Sequence, residues 1–152
     1  KRAIDIALPW EDVDTVEWAN KTSDIIGTMV RYRHTRIPVL EGEVVKGILH
    51  SKEFLSYLAA ADENWQKIVR PHLMISPQLP LLALLRIMQS TKTHMAIIQD
   101  QQAKPIGLVT LEDIIEEVIG EIFDEDDDDR LKKLMTQRVQ ELQLRNRTKP
   151  TR

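Results

Sequence analysis

Cysteine is absent from this sequence of 152 residues. Its absence excludes a disulfide framework, a zinc site with cysteine ligands and catalysis by a thiol, and it suits a reducing compartment such as the cytoplasm. The five glycines form neither a phosphate-binding glycine loop nor a nucleophile elbow. The four histidines lack the spacing of a zinc site. We therefore predict that the chain is not an enzyme and that no protein-bound metal is required.

Long apolar runs are missing as well. No segment approaches the roughly 20 consecutive apolar residues that cross a bilayer, and no charged segment followed by an apolar run marks a secretory signal. The first residue is lysine, so we expect a fragment of a longer polypeptide, from which a membrane anchor could be missing. A hydrophobic content of 42% suffices for the core of one domain or of two small pseudo-symmetric ones.

The net charge of -3 is distributed unevenly along the chain. Residues 111–129 include eleven acids and no base, and residues 130–152 include eight bases and one acid. The basic tail has the apolar spacing of an amphipathic helix, which we favour over a nucleic-acid or lipid patch, so no nucleic-acid partner is expected.

The acidic run 124–129 could bind magnesium loosely. A solvated linker is favoured because consecutive carboxylates on a flexible segment do not preorganise octahedral geometry.

An internal repeat is the strongest signal of organisation. Apolar periodicity predicts the order helix, strand, strand, helix twice. In the first copy a helix capped by Thr22 or Ser23 ends near His34, and strands over residues 36–40 and 44–49 lead to a helix from Ser51. In the second copy a helix over Leu81 to Met88 precedes strands over residues 94–98 and 106–109 and a helix from Thr110.

The two copies align with a nearly constant offset. Val39 aligns with Ile97, 58 residues later, and Gly47 with Gly107, 60 residues later. One copy alone leaves a sheet face uncovered, so we expect the two to pack face to face about a pseudo-twofold axis.

The predicted domains are residues 1–70 for the first repeat with its lead-in, 71–123 for the second, and 124–152 for an acidic linker and amphipathic tail. Residues 65–71 are predicted to form a short joining helix.

These motifs resemble those of a known family. Residues 107–122, GLVTLEDIIEEVIGEI, with residues 94–98 before them, resemble the second unit of a CBS-domain pair from the CorC/HlyC and CNNM family of membrane proteins, which are associated with magnesium and divalent-cation transport. Residues 35–39 and 47–52 are similar to the first unit. The resemblance covers about residues 5 to 125. It implies an α/β fold of tandem CBS repeats, a Bateman module, in which two pairs meet as a flat homodimer.

The same resemblance implies a function. It indicates a regulatory cytosolic module that binds ATP or AMP, with Mg2+ as a candidate companion ion, and that acts on a transmembrane domain absent from this fragment. The alternative is a structural dimerisation module without nucleotide. A dimer would also explain two adjacent apolar pairs in the last helix, because a single apolar stripe that packs on its own sheet needs fewer apolar residues. These residues are Ile114, Ile115, Val118 and Ile119.

A candidate ribose site follows from residues at the start of the last helix. Thr110 as N-cap and Asp113 three residues later place a hydroxyl, a carboxylate and free backbone N–H groups at one strand end. A carboxylate accepts hydrogen bonds from vicinal ribose hydroxyls, and a helix N-terminus favours anions. The alternative is a capping box in which Asp113 serves only its own helix. The equivalents His50 and Glu53 depart from this pattern, so we expect one good nucleotide site and a poor or empty second one.

The resemblance extends this site to the first repeat. It implies that His34 and Arg36 contact base and phosphate, with Pro38 and Val39 as an apolar wall. The alternative for His34 and Arg36 is a solvent-facing helix end. The alternative for Pro38 and Val39 is ordinary strand packing.

Overall fold

The repeated order of helix, strand, strand and helix is confirmed in the computed structural model, which describes residues 1–60, 64–124 and 136–137. The first half contains β1 (Leu8–Pro9), β2 (Val16–Glu17), α1 (Thr22–Tyr32), β3 (Arg36–Glu41), β4 (Val44–His50) and α2 (Ser51–Ala59). The second half contains β5 (Leu73–Ile75), α3 (Leu81–Thr91), β6 (Met95–Gln99), β7 (Pro105–Thr110) and α4 (Leu111–Asp124). Short 3-10 helices form at Ala3–Asp5, Trp10–Asp12 and Trp65–Ile68.

The ends of α1 differ from the prediction. The N-cap is Lys21, not Thr22 or Ser23, because the carboxylate of Asp24 accepts a hydrogen bond from the Lys21 amide at 3.0 Å. An acid at the third helical position thus satisfies the free amide before the helix. The helix ends at Tyr32, two residues before the predicted end, since Arg33 takes a left-handed conformation with φ of 56°.

Each repeat also has a short parallel strand that was not predicted. β2 pairs in parallel with β3, and β5 in parallel with β6. The two sheets have the strand orders β2-β3-β4 and β1-β7-β6-β5. Strands of two or three residues carry too few side chains to show an alternating pattern, so sequence periodicity does not reveal them.

The segment that precedes each repeat joins the sheet of the other repeat. β1 lies before the first repeat but pairs with β7 of the second, with Leu8 opposite Leu108. Arg70 lies before the second repeat but forms an antiparallel bridge with Ile48 in β4. Both hydrogen bonds of that bridge are 2.9 Å long. The exchange ties the lead-in of each repeat to the sheet of the other repeat through main-chain hydrogen bonds.

The aligned glycines lie where these exchanged segments cross. A Cβ atom on Gly47 would lie 2.2 Å from the carbonyl oxygen of Arg70. A Cβ atom on Gly107 would lie 3.1 Å from Cβ of Ala7 and 3.2 Å from the carbonyl oxygen of Leu8. The repeated glycine therefore marks close approach of backbone from the partner segment.

Two clusters of buried side chains form the core. One belongs to the first repeat and includes the fully buried Phe54 and the nearly buried Trp65. The other joins β4 with β6 and β7 through residues of both repeats, so the two sheets pack against each other as expected. Its members are Val45, Ile48, Met95, Ile97 and Leu108.

The chain divides into compact units of residues 1–114 and 115–152, with the boundary inside α4. Both sheets lie in the first unit. In the second, residues 115–124 continue α4. Nearly all of the predicted acidic linker and basic tail helix, residues 125–135 and 138–152, lies outside the described residues. Within the described ranges, no helix is long and apolar enough to span a bilayer.

Gly47→Ala should lower the free energy of unfolding by about 2 kcal/mol or more, because a methyl group there overlaps the Arg70 carbonyl oxygen, which accepts a hydrogen bond from the Ile48 amide. Gly27→Ala is the control: it lies within α1 with open space around its Cβ position, and it should raise stability by up to about 1 kcal/mol. Urea unfolding of both variants measures the difference. Equal stabilities would show that the crossing at Gly47 does not constrain the fold.

Candidate functional site

Thr110 and Asp113 form a tight pair at the junction of β7 and α4. The carboxylate oxygen Oδ2 of Asp113 accepts hydrogen bonds from the Thr110 amide at 2.9 Å and from its hydroxyl at 2.5 Å. The Asp113 amide donates in return to the Thr110 hydroxyl at 3.3 Å. The capping box that the sequence left open as an alternative is therefore present.

This capping leaves part of Asp113 available. The side chain is exposed, and its second oxygen, Oδ1, accepts no hydrogen bond from any residue that the structure describes. Thr110 thus fixes the orientation of the carboxylate, and Oδ1 remains available to accept a hydrogen bond from a ligand. Capping and binding of an external hydroxyl are compatible at this junction.

His34 lies just beyond α1 and is held on two sides. Its Nε2 atom is 2.7 Å from Oδ2 of Asp14, and its ring stacks on Tyr32 with planes 5° apart and centroids 6.1 Å apart. The side chain is 49% exposed. The ring is therefore pre-oriented, with Tyr32 on one face.

The other three first-repeat candidates lie in β3. Arg36 begins the strand opposite His50, and its guanidinium forms no ion pair within the described part of the chain. Pro38 and Val39 are buried, and Val39 packs into the first core cluster. Their burial agrees with the alternative of ordinary strand packing. The assignment of all six candidates to one nucleotide site remains a prediction.

A cavity of about 500 Å³ lies where the two repeats meet. It contains the first-repeat positions His50 and Glu53 and the second-repeat segment 91–95, while Thr110 and Asp113 do not line it. Three of its charged residues, Lys52, Arg70 and Lys92, were not among the candidates from the sequence. The repeat offset was the available signal, since it aligns Lys92 with His34 and His94 with Arg36. The lining consists of Arg36, Ile48, His50, Lys52, Glu53, Arg70, Pro71, Thr91, Lys92, Thr93, His94 and Met95.

His50, which departs from the Thr110 pattern, still caps α2, and it does so through a ring nitrogen rather than a hydroxyl. Its Nδ1 atom accepts a hydrogen bond from the Lys52 amide at 3.2 Å, so this nitrogen must be unprotonated. Burial lowers the pKa of His50, and the charge of Arg36 lowers it further; Arg70 and Lys52 act in the same direction and Glu53 opposes them. The neutral ring is thus favoured in the folded chain.

Glu53 occupies the position that aligns with Asp113 but has a different partner. Arg70 donates from Nε to Oε2 at 3.0 Å and from Nη2 to Oε1. This bidentate pair engages both carboxylate oxygens, whereas Asp113 uses one of its oxygens to cap. The two aligned acids therefore differ in what they can bind.

No group of three or more His, Asp or Glu side chains within the described residues is arranged to hold a metal ion. Most of the acidic run proposed as a loose magnesium site, residues 125–129, lies outside them.

Comparison with known proteins gives consistent matches. The family model described as CBS domain matches residues 21–60 and 66–120. The magnesium and cobalt efflux protein CorC of Vibrio cholerae is 34% identical over 137 residues, which is 88% of this chain and 47% of that protein. The UPF0053 protein YugS of Bacillus subtilis is 35% identical over 130 residues, 84% of this chain and 30% of that protein. The chain thus spans less than half the length of these relatives.

A solved structure with the same fold carries a nucleotide. It is described as the CBS domain of the bacterial CNNM/CorC family Mg2+ transporter in complex with ATP. The TM-score is 0.73 at 27% sequence identity, and the match covers 79% of this chain and 88% of the other.

Stability should fall as the pH drops below about 6.5, because burial lowers the pKa of His50 and of His72 in the fold and the unfolded chain then takes up more protons. His50→Thr keeps an N-cap and should reduce the loss of stability between about pH 7 and pH 5. His72→Asn should remove a separate part of it, and the double variant should have the flattest profile. Urea unfolding across this range is the measurement, and an unchanged slope in His50→Thr would contradict the assignment.

Proposed function

This chain belongs to the CBS-domain family, as a CBS pair with relatives named CorC, and we propose that it is the adenine-nucleotide-sensing cytosolic module of a divalent-cation transport protein. The observation that carries the proposal is the Thr110–Asp113 junction, where one carboxylate oxygen is fixed by the helix cap and the other is available. The ATP complex of the related transporter CBS domain supports the choice of ligand. In this proposal ATP or AMP binds with its ribose on Asp113.

The rest of the site is inferred from the repeat. The observed cavity combines the start of α2 with residues 91–95 of the other repeat. A pseudo-twofold axis between the packed sheets would create a counterpart that combines the start of α4 with residues 33–37. That counterpart would contain His34, and it would share Arg36 with the observed cavity, whose lining includes this residue. The free face of the His34 ring suits an adenine, and the unpaired guanidinium of Arg36 suits a phosphate.

In this proposal ATP binds together with a Mg2+ ion. The first turn of α4 carries Glu112 and Asp113 and no basic residue, so a bare triphosphate would meet like charge there. Two like charges about 6 Å apart repel each other by roughly 3 kcal/mol at an effective dielectric near 20. A Mg2+ ion on the phosphates, with water as most of its ligands, would offset this repulsion. AMP carries less charge and would depend on the ion less.

Regulation would follow from attachment to a membrane domain. The proposed module lies on the cytosolic side and transmits the nucleotide state to a transmembrane domain outside this fragment. The name of the Vibrio cholerae relative, a magnesium and cobalt efflux protein, supports divalent cations as the cargo.

Asp113→Ala should weaken adenine-nucleotide binding by about 2 to 4 kcal/mol, because charge-assisted hydrogen bonds to ribose are lost. Calorimetric titration of ATP, with magnesium present, and of AMP measures the effect. The matched control is Asp24→Ala, since Asp24 has the same capping position in α1 and accepts from the Lys21 amide. Both variants should lose about 1 kcal/mol of stability, and Asp113→Ala alone should lose affinity. Equal affinities in the two variants would reject the ribose site.

A structural dimerisation module is the second candidate function, favoured by apolar side chains on the surface of the first unit. Val30 and Ile26 are 70% and 39% exposed and lie one turn apart on α1. Leu55 on α2 and Leu82 on α3 are 62% and 59% exposed. In α4, Ile114 is fully buried, so it belongs to the core rather than to a free surface. We include a homodimer in the proposal because such side chains are costly to leave in water.

Val30→Glu should convert a dimer to monomer at micromolar concentration, because a charge replaces an apolar contact. Val44→Glu is the control, since Val44 is 63% exposed but lies at the start of β4 rather than on a helix. Light scattering on both variants and the parent chain is the measurement. A parent chain that is monomeric at high micromolar concentration, with or without nucleotide, would remove the dimer.

A further inference from the structure

The carboxylate of Asp14 joins the lead-in of the first repeat to the imidazole of His34. Asp14 lies two residues before β2 and His34 two residues before β3, and these strands pair in parallel, so both side chains lie at the same end of the sheet. Oδ2 of Asp14 is 2.7 Å from Nε2 of His34. We propose that Asp14 is a positioning residue of the nucleotide site, which holds the His34 ring ready to stack on the base. This inference rests on the proposed function.

The second repeat shows that the fold does not need this pair. The offset of 58 residues aligns Asp14 with His72. It aligns His34 with Lys92, so the second repeat has two bases at these positions and no acid to join them. Its strands β5 and β6 nevertheless pair in parallel, as β2 and β3 do. The pair is therefore particular to the first repeat.

Folding stability does not explain the pair either. The side chains of His34 and Asp14 are 49% and 29% exposed, and ion pairs in contact with water contribute little to stability. Asp14 also carries the wrong charge to contact a phosphate itself. Its effect on a nucleotide must therefore pass through the ring of His34.

The contacts of the ring restrict its rotation. An ionised carboxylate only accepts hydrogen bonds, so the proton of the His34 ring lies on Nε2 and is donated to Asp14. Tyr32 covers one face of the ring, with the two planes 5° apart. Rotation of the imidazole would break both contacts. One edge and one face are thus occupied, and the opposite face is presented in a fixed orientation.

A fixed ring binds a base at a lower entropic cost. A side chain that is ordered beforehand loses no rotational freedom when the ligand arrives, so more of the contact energy appears as affinity. Stacking on an aromatic ring requires the flat surface of a base. Asp14 should therefore strengthen the binding of AMP and ATP by ordering His34, without touching either ligand.

Asp14→Ala should weaken AMP binding by about three- to tenfold, because the ligand must then order the His34 ring. Asp14→Asn lacks the charge but keeps an oxygen that accepts from Nε2, so it should bind AMP within about twofold of the parent chain. The matched control is Asp12→Ala, which removes an exposed acid from the same lead-in and should also stay within about twofold. Calorimetric titration of AMP into the four proteins is the measurement.

Two further readouts distinguish positioning from a general structural role. In a His34→Ala background, Asp14→Ala should cause no additional loss of AMP affinity, because the two residues act as one unit. Nitrogen NMR of the ligand-free protein should find the His34 proton on Nε2 in the parent chain and a mixture of both tautomers in Asp14→Ala.

The outcomes separate this inference from the proposed function. Parent-like affinity in Asp14→Ala, an equal loss in Asp14→Asn, or a full additional loss in the His34→Ala background would overturn the role of Asp14 while leaving the nucleotide site in place. A parent chain with the expected tautomer that binds neither AMP nor ATP would reject the nucleotide site itself, and the role of Asp14 with it.

Discussion

The backbone bridge between Ile48 and Arg70, with its counterpart between β1 and β7, is the contact on which the rest of the structure depends. Each bridge attaches the lead-in of one repeat to the sheet of the other. The first bridge requires glycine at position 47, because a Cβ atom there would overlap the Arg70 carbonyl oxygen, and a Cβ atom at position 107 would come tightly against Ala7 and Leu8. They also place Arg70 in the cavity, where its guanidinium meets Glu53. The exchange therefore joins the two repeats. It also brings Arg70 to the carboxylate of Glu53.

The aligned acids Asp113 and Glu53 have different hydrogen-bond partners because their neighbouring residues differ. Asp113 is short enough to turn back and accept from the amide and hydroxyl of Thr110. Glu53 follows His50, whose ring nitrogen already caps the helix, and its carboxylate is taken by Arg70. Asp113 keeps one oxygen without a hydrogen-bond partner among the described residues, whereas Arg70 engages both oxygens of Glu53. Aligned positions of a repeat can in this way differ in the groups they present.

The overall charge of the chain says little about either site. A net charge of -3 arises from acids concentrated between residues 111 and 129, whereas the charged residues that line the cavity between the repeats are mainly bases. Electrostatic interactions weaken within about 10 Å at moderate ionic strength, so a ligand responds to the charges around its own cavity.

The sequence by itself determined the features that depend on near neighbours. Apolar spacing predicted both helix–strand–strand–helix repeats, and Thr110 with Asp113 predicted a capped junction because those residues are three apart. Tertiary structure alone decided the short strands β2 and β5, whose few residues show no period, and the pairing of Leu8 with Leu108, which joins residues far apart in the chain. The cavity belongs to this second group. Its walls come from both repeats, so its charge exists only once the exchanged segments bring them together.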